Sequence, residues 1–479
     1  MKKSILVEIL SKFSQKEIRE FSEYVKSPFF NKNQGIIKLN NYLRLKYPAF
    51  EKSETEKKIV FAEIFPGVKY NDGFMRTLIF GLSALAENFL SYTRYKNSYY
   101  KDKTFLLYEL NDRHLDRQLE KNIRVISKKL ETEKIKDYEY YLDKYNLENE
   151  KYLYYFRNKP DVYEKIVKKT KLKEMADYLS IFYYSCIIGD YTRLYNLKNI
   201  YNFDFDTTQT DKYMDIPKDA SLRKVPCVMI SYYELMLFAK SDDLTYFYKI
   251  KEQLELYEDT LDRDHVYNIY INLINFCSRK ITAGYKELEY EVFALYKRGL
   301  EKNILPFHGT SHFRFYTTVT ETALKLKEYE WARDFINDYR DRLPEKIREN
   351  SYNYAKALYD FETGNYTEAL ETLSVVKYND VYHKLKCKCL IAMLYYELGY
   401  TVQLLSHIDA FNHFIMNDKL LNKERKRIYS AFIKYLKKVD SVRLFFNNEN
   451  FEKLWSKIET DNDVYNKKWL LKKMEEMAQ

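Results

Sequence analysis

The run ENSYNYAKALYDFETGNYTEALETLSV, residues 349–375, decides the fold. An apolar-faced helix leads into Gly364-Asn365-Tyr366, and a second amphipathic helix starts at once. Glycine just past the last periodic residue is a helix stop, because it takes the left-handed conformation that closes a helix end. Ala357 falls where the first helix would pack closely on a neighbour. Tyr366, Ala369 and Leu373 place one aromatic, one small and one branched residue on the inner face of the second. A small residue at a crossing lets two helices approach, and the aromatics fill the space beside it. The unit is a helix pair.

Working outward, Gly399-Tyr400 repeats the corner 35 residues after Gly364. Towards the N-terminus, Tyr329, Ala332 and Pro344 keep the same phase without a glycine, and Ala332 lies 37 residues before Ala369. A period near 34 residues is the signature of stacked tetratricopeptide units. Gly189-Asp190-Tyr191 reads as a further corner. The pattern predicts six or seven helix pairs between Glu174 and Glu459. One long irregular stretch, 202–226, interrupts them, long enough to be either functional or disordered.

The first hundred residues predict a compact helical module. Ser14 with Glu17 and Ser53 with Glu56 have capping-box spacing, and Phe13 and Ile18 are placed as a hydrophobic staple. One helix carries Ile18, Phe21 and Val25 and stops before Ser27-Pro28. A second carries Ile36, Leu39, Leu43 and Tyr47 and ends at Pro48. A third ends at Phe65-Pro66-Gly67, and a fourth runs from about Asp72 to Tyr92 with Leu78, Leu82, Leu85 and Phe89 inward. From Lys101 to Lys159 there is neither glycine nor proline. Leu119, Ile123, Ile126 and Leu130 share a stripe there. The phase breaks between Glu131 and Lys136 and resumes with Ile135, Tyr138, Leu142 and Tyr145, predicting a helical hairpin. The expected organisation is all-α: an N-terminal bundle over 1–98, a long hairpin over 99–173, and a degenerate tetratricopeptide-like α-solenoid over 174–479.

Composition agrees. Only 10 Gly and 8 Pro occur in 479 residues, too few for sheets and tight hairpins. The 49 tyrosines accompany many Lys, Asn and Ile, the residues of AT-rich codons, and carry no functional weight here. Net charge is +10, mild and spread along the chain. The five cysteines, at 186, 227, 277, 387 and 389, follow no disulfide or zinc spacing and read as reduced thiols, which points to the cytoplasm. No stretch is apolar enough to span a membrane, and the start is not a signal peptide.

SPFFNK at Ser27–Lys32, IFPG at Ile64–Gly67, the run from Phe313 to Tyr339, and ELG at Glu397–Gly399 together resemble an uncharacterised family of tetratricopeptide-like proteins of Bacteroidetes-type bacteria. The resemblance implies a cytoplasmic helical-repeat protein and brings no activity, cofactor or catalytic residue. Tetratricopeptide proteins often bind peptides in their groove, and one version clamps a carboxylate with Lys and Asn on the first helix of each repeat. The matching positions here are Tyr354 and Leu358, then Cys389 and Met393, so that clamp is absent from these two repeats.

Catalytic motifs are missing: there is no phosphate-cradling glycine loop, dinucleotide fingerprint, HExxH or nucleophile elbow. His308 and His312 are four apart, but Gly309 and Pro306 place His308 in a loop, so helix packing is the expected role. Asp204, Asp206 and Asp215 match places of a calcium loop, yet Gln209 replaces its turn glycine and Asp215 its bidentate Glu. The linker FPGVKYND is too long for a DNA-reading helix-turn-helix. Lys165, Lys168, Lys169, Lys171 and Lys173 form a basic run. The most suggestive surface is the helix near Asn422 to Val439. Lys423, Lys426, Arg427, Lys434, Lys437 and Lys438 share one stripe there, opposite Ile428, Phe432, Tyr435 and Val439. Such a stripe is a solvated face or a contact for phosphate or an acidic protein. The reading that follows is a non-enzymatic protein-interaction scaffold with an unknown protein partner and no cofactor. A nucleic-acid-binding helical repeat comes second and an enzyme with a non-obvious site last.

Overall fold

The computed structural model describes residues 4–51, 53–158, 168–201, 205–213, 215–305, 312–377 and 381–478. Among them are 22 α-helices, four short 3-10 turns and no strand. The chain divides into two compact units, Met1–Asp262 and Arg263–Gln479.

In the first unit, α1 (Ile5–Lys12), α2 (Gln15–Lys26), α3 (Gln34–Leu45), α4 (Lys57–Ile64) and α5 (Asp72–Asn97) enclose one core. The predicted stripes face it: Ile18, Phe21, Val25, Ile36, Leu39, Leu43, Leu78, Leu82, Leu85 and Phe89 are all buried. The Ser14–Glu17 capping box forms, with the Glu17 backbone N–H donating to Ser14 Oγ and the Ser14 N–H to Glu17 Oε2. Helices α3 and α5 cross closely through glycine. A methyl on Gly81 would stand 2.6 Å from Ile36 Cδ1, and one on Gly35 2.9 Å from Leu78 Cδ2.

The Ser53–Glu56 box does not form. Helix α4 starts at Lys57, and its cap residue Glu56 makes no side-chain cap bond. The preceding residues are held instead by α3, by its cap residue Lys46 and by a local turn. Tyr42 donates to the Glu54 carbonyl at 2.9 Å, Lys46 pairs with Glu54 at 2.7 Å, and the Thr55 hydroxyl bonds the Glu51 carbonyl at 2.8 Å.

A separate core lies between α6 (Tyr99–Asp112), α7 (Asp116–Glu131) and α8 (Tyr138–Asn158), where Leu119, Ile123, Ile126 and Leu130 meet Leu147 and Tyr154. The phase break is a true corner. Ile135, read as the start of the resumed stripe, lies in that corner and is exposed. Helix α9 (Leu172–Tyr201) packs on α8 and on α10 (Pro226–Ala239), which packs on α11 (Thr245–Tyr257).

The predicted corner at Gly189 is absent: α9 runs through it unbroken. A helical glycine costs only about 1 kcal/mol relative to alanine. Ile181, Ser185, Ile188, Thr192 and Tyr195 continue one buried stripe past it, so packing holds the helix straight on. The irregular stretch, as far as it is described, is packed rather than solvated, with Thr210, Tyr213, Ile216 and Leu222 buried.

The second unit consists of helix pairs: α12 (Arg263–Thr282) with α13 (Leu288–Glu301), α14 (His312–Lys325) with α15 (Tyr329–Asp338), and α16 (Glu345–Glu362) with α17 (Tyr366–Ser374). Then come α18 (Val381–Glu397) with α19 (Thr401–Asn417), α20 (Lys423–Leu444) with α21 (Asn448–Thr460), and a single closing helix, α22 (Lys467–Ala478). The first helices form a ladder: α14 touches α16, α16 touches α18, and α18 touches α20. Ala332, Ala357 and Ala369, the predicted crossing residues, have no exposed surface.

The corners share one hydrogen-bond device. Gly364 (φ 85°) and Gly399 (φ 72°) are left-handed, and the next N–H reaches five residues back, Asn365 to the Asp360 carbonyl at 2.8 Å and Tyr400 to the Tyr395 carbonyl at 2.9 Å. Where the sequence has no glycine, Lys327 (φ 63°) and Asn303 (φ 53°) take the same conformation. Glu328 N–H then bonds the Ala323 carbonyl at 3.0 Å, and Ile304 N–H the Gly299 carbonyl at 2.8 Å.

Candidate interaction groove

Two surfaces of the second unit are candidates for recognition: the face of the first-helix ladder and the basic side of α20. The ladder face is floored by α14, α16 and α18. Phe313 and Tyr354 both pack on the His383 ring, at 4.3 and 4.9 Å, and Lys386 on α18 reaches both oxygens of Glu321 on α14, at 2.7 and 2.8 Å. Helix α18 is buried on nearly every side, which is why its sequence shows no clean amphipathic stripe. Cys387 and Cys389 are both enclosed. Burial pushes the Cys387 thiol up to about 12 and holds Cys389 well above its ordinary range.

Of the groove positions named from the sequence, Tyr354 and Cys389 are buried near Tyr465 and Met393 beside Asn466, while Leu358 is half-buried. Tyr465, in the turn before α22, stacks on Tyr429 at 4.8 Å and meets Phe432 edge-on at 5.7 Å, both on α20. Desolvation raises its phenol well above the ordinary tyrosine range, with Cys389 and Tyr429 the next contributors. Tyr354 is raised in the same way, by burial first and then by Glu321 and Tyr465.

Helix α22 then packs on α20 and α21, and side chains from it and from the turn before it reach α18. Asn466 Nδ2 contacts Met393 Sδ at 3.3 Å, and the Trp469 ring stands edge-on to Tyr396 at 5.4 Å. Glu397, at the end of α18, accepts both the Trp469 indole N–H at 3.0 Å and the Lys473 ammonium at 2.9 Å. Desolvation works against the Lys473 charge, but its bonds to Glu397 and Glu476 outweigh burial and raise its pKa. Leu470 and Met474 have no exposed surface. The helix pairs are counted only to Glu459 in the sequence, and within the solenoid expected over 174–479 this helix is not singled out. The signal was the spacing of Trp469, Leu470, Lys473, Met474 and Met477, one face of an amphipathic helix.

Compared with protein-family models, with curated proteins and with solved structures, the chain matches none.

On α20 the buried side is Tyr429, Phe432, Ile433, Leu436 and Val439, with Ile428 and Tyr435 at its edge. Of the six predicted cations, three are engaged by the chain itself. Lys426 donates to the Met416 carbonyl at 2.8 Å, Arg427 pairs with Asp463 at 3.0 Å, and Lys437 approaches Asp409 at 3.8 Å. Lys423, Lys434 and Lys438 are exposed without an ion pair among the described residues. Elsewhere, Lys169 sits 4.9 Å over the Tyr155 ring. Asp206 accepts from Thr208 at 3.0 and 2.6 Å, and Asp215 pairs with Lys218 at 2.6 Å, so both serve local turns. Asp204, Lys165 and His308 lie outside the described residues, and His312 opens α14. No group of three or more His, Cys, Asp or Glu stands at metal-binding range among the described residues, and no helix there is long and apolar enough to cross a membrane.

Proposed function

We propose that the chain is a cytoplasmic protein–protein interaction scaffold whose second unit is a degenerate α-solenoid of the tetratricopeptide kind. The observation that carries this reading is the ladder α14–α16–α18–α20, each first helix packed on the next with a second helix between. Stacking of that kind aligns one face of successive repeats, and each repeat lends a few side chains to a long binding surface. The repeated left-handed corners and the alanine crossings support the same reading. The chemistry of the face suits packing rather than catalysis. Its thiols are held protonated, whereas a nucleophilic cysteine needs its pKa lowered. The test is affinity purification of the full chain from its native host, with nuclease treatment and mass spectrometry. Protein partners retained after nuclease are expected. Recovery of nucleic acid alone would replace the reading with a nucleic-acid-binding repeat that uses the α20 lysines.

A further inference from the structure

Two desolvated lysines of the second unit are held by acids of the chain itself, Lys386 by Glu321 and Lys473 by Glu397 and Glu476. Lys388, half-buried on α18, makes no ion pair among the described residues. Its ammonium lies 5.8 Å from the Phe411 ring and 6.0 Å from the Phe414 ring, both on α19. Lys384, one turn earlier on α18, stands 4.1 Å over the same Phe414 ring. Burial first, and then the Lys384 charge, hold the Lys388 amine below the ordinary lysine range. His407 on α19 lies beside them, its Nε2 2.8 Å from the Lys388 carbonyl. Burial and the Lys388 charge outweigh that bond and lower its pKa. No acidic side chain among the described residues acts on Lys388 or on His407.

Like charges drawn together out of water are unfavourable unless something opposite meets them. The ring faces offset part of that. An anion brought by another molecule would meet cations that are already desolvated and oriented, where an ion pair is stronger than on open surface. The two lysines are one helical turn apart, roughly 6 Å along α18. Ile391 and Tyr395, both half-buried, continue the same stripe. The face therefore offers two cations and then an apolar stretch. It is poorly built for nucleic acid, which stacks its bases on open aromatic faces. Phe411 is fully enclosed, and Lys384 covers the face of Phe414.

We infer that this face of α18 and α19 is a docking site for an acidic segment of a partner protein, with Lys384 and Lys388 each receiving one carboxylate. The segment carries two acidic side chains about one helical turn apart, followed by an apolar residue that lies on Ile391 and Tyr395. This rests on the scaffold reading and adds to it a place on the surface and the class of partner.

The probe is a fluorescein-labelled, alanine-based helical peptide with two glutamates one turn apart and a leucine one turn further on. Its twin with glutamines in place of the glutamates is the control. Fluorescence anisotropy with the full chain should show the glutamate peptide binding about tenfold more tightly, or better, than its twin. Lys384→Met/Lys388→Met should remove that difference. Lys434→Gln/Lys438→Gln takes the same charge from exposed positions on α20 and should change the affinity by less than about twofold. Equal losses from the two pairs would show a diffuse attraction to a basic chain and overturn the inference. So would equal affinity for the two peptides. Acetylation of the unaltered chain by a lysine-selective ester, read by mass spectrometry, needs no variant. The glutamate peptide should shield Lys384 and Lys388 and leave Lys434 and Lys438 open, and uniform shielding refutes the site. A labelled single-stranded oligonucleotide that shields the same two lysines while the peptide does not would reassign the face to nucleic acid. Protein partners that survive nuclease while the peptide fails would leave the scaffold standing and remove only this site.

Discussion

Lys327 shows what a corner of this chain requires of its backbone. A side chain in the left-handed region costs about 1–2 kcal/mol, because Cβ crowds the following carbonyl. Lys327 accepts that cost at φ 63° so that Glu328 N–H can close the helix end. Lys327→Gly should therefore stabilise the protein by up to about 1 kcal/mol, part of the relief being offset by glycine's greater freedom when unfolded. Gly364→Ala should do the reverse by a similar amount. Nothing lies within 4 Å of the added methyl, so its cost is conformational. Denaturant midpoints of the two variants measure both effects, and a destabilised Lys327→Gly would refute the account. These corners also mark how far single residues could be read. Gly364 and Gly399 announce themselves in the sequence. Lys327 does not, since nothing in a lysine encodes the left-handed conformation that its neighbours impose. Gly189 misleads in the other direction, because a glycine ends a helix only when the apolar stripe ends with it.

Among elements, α17 depends on close approach to the helices on either side of it, α16 and α18. Ala369 has no exposed surface at its crossing, and overfilling such a site costs typically about 1–3 kcal/mol or more. Ala369→Trp should lower the thermal midpoint of the second unit. An unchanged midpoint would show that the helices do not cross there. The Tyr354–Tyr465 region makes a separate prediction about pH. Both phenols are raised above the ordinary tyrosine value of about 10. The native state keeps their protons where the unfolded chain has begun to lose them. Their contribution is therefore complete below pH ~10 and declines as the pH rises through the folded-state values. Denaturant midpoints between pH 9 and 12 should fall more gently in Tyr354→Phe/Tyr465→Phe than in the parent. Parallel curves would place the alkaline loss elsewhere. The existence of most helices was legible because burial on one side leaves a period in the sequence. The closing helix was legible only as a pattern without an address. It packs on α20 and α21, its polar side chains reach Glu397 on α18, more than seventy residues earlier in the chain, and spacing along a helix says nothing about which distant residue it meets.

For the whole molecule, the charge excess of +10 promises more than the surface delivers. With Lys426, Arg427 and Lys437 engaged by Met416, Asp463 and Asp409, only Lys423, Lys434 and Lys438 of the α20 stripe remain to meet phosphate. Three contacts give a log–log salt slope of about −2 on single strands and about −3 on duplex. Anisotropy of labelled oligonucleotides over a salt series should show that stripe contributing no more than this. Lys423→Gln/Lys434→Gln/Lys438→Gln should remove the contribution and leave the fold intact. A steeper loss on making these three changes would mean that the neighbouring cations are released on binding. Sequence patterns announce which residues are charged, and only the fold tells which of them already have an acid or a carbonyl beside them. The enclosed thiols of α18 have a consequence in time rather than in space. Cys387 and Cys389 are sealed by helices on every side and kept protonated, so an alkylating or disulfide reagent can reach them only in the moments when that enclosure parts. Half-buried Cys186 should react first and serve as the reference. The delay before the other two follow is a chemical clock for how often this part of the molecule opens.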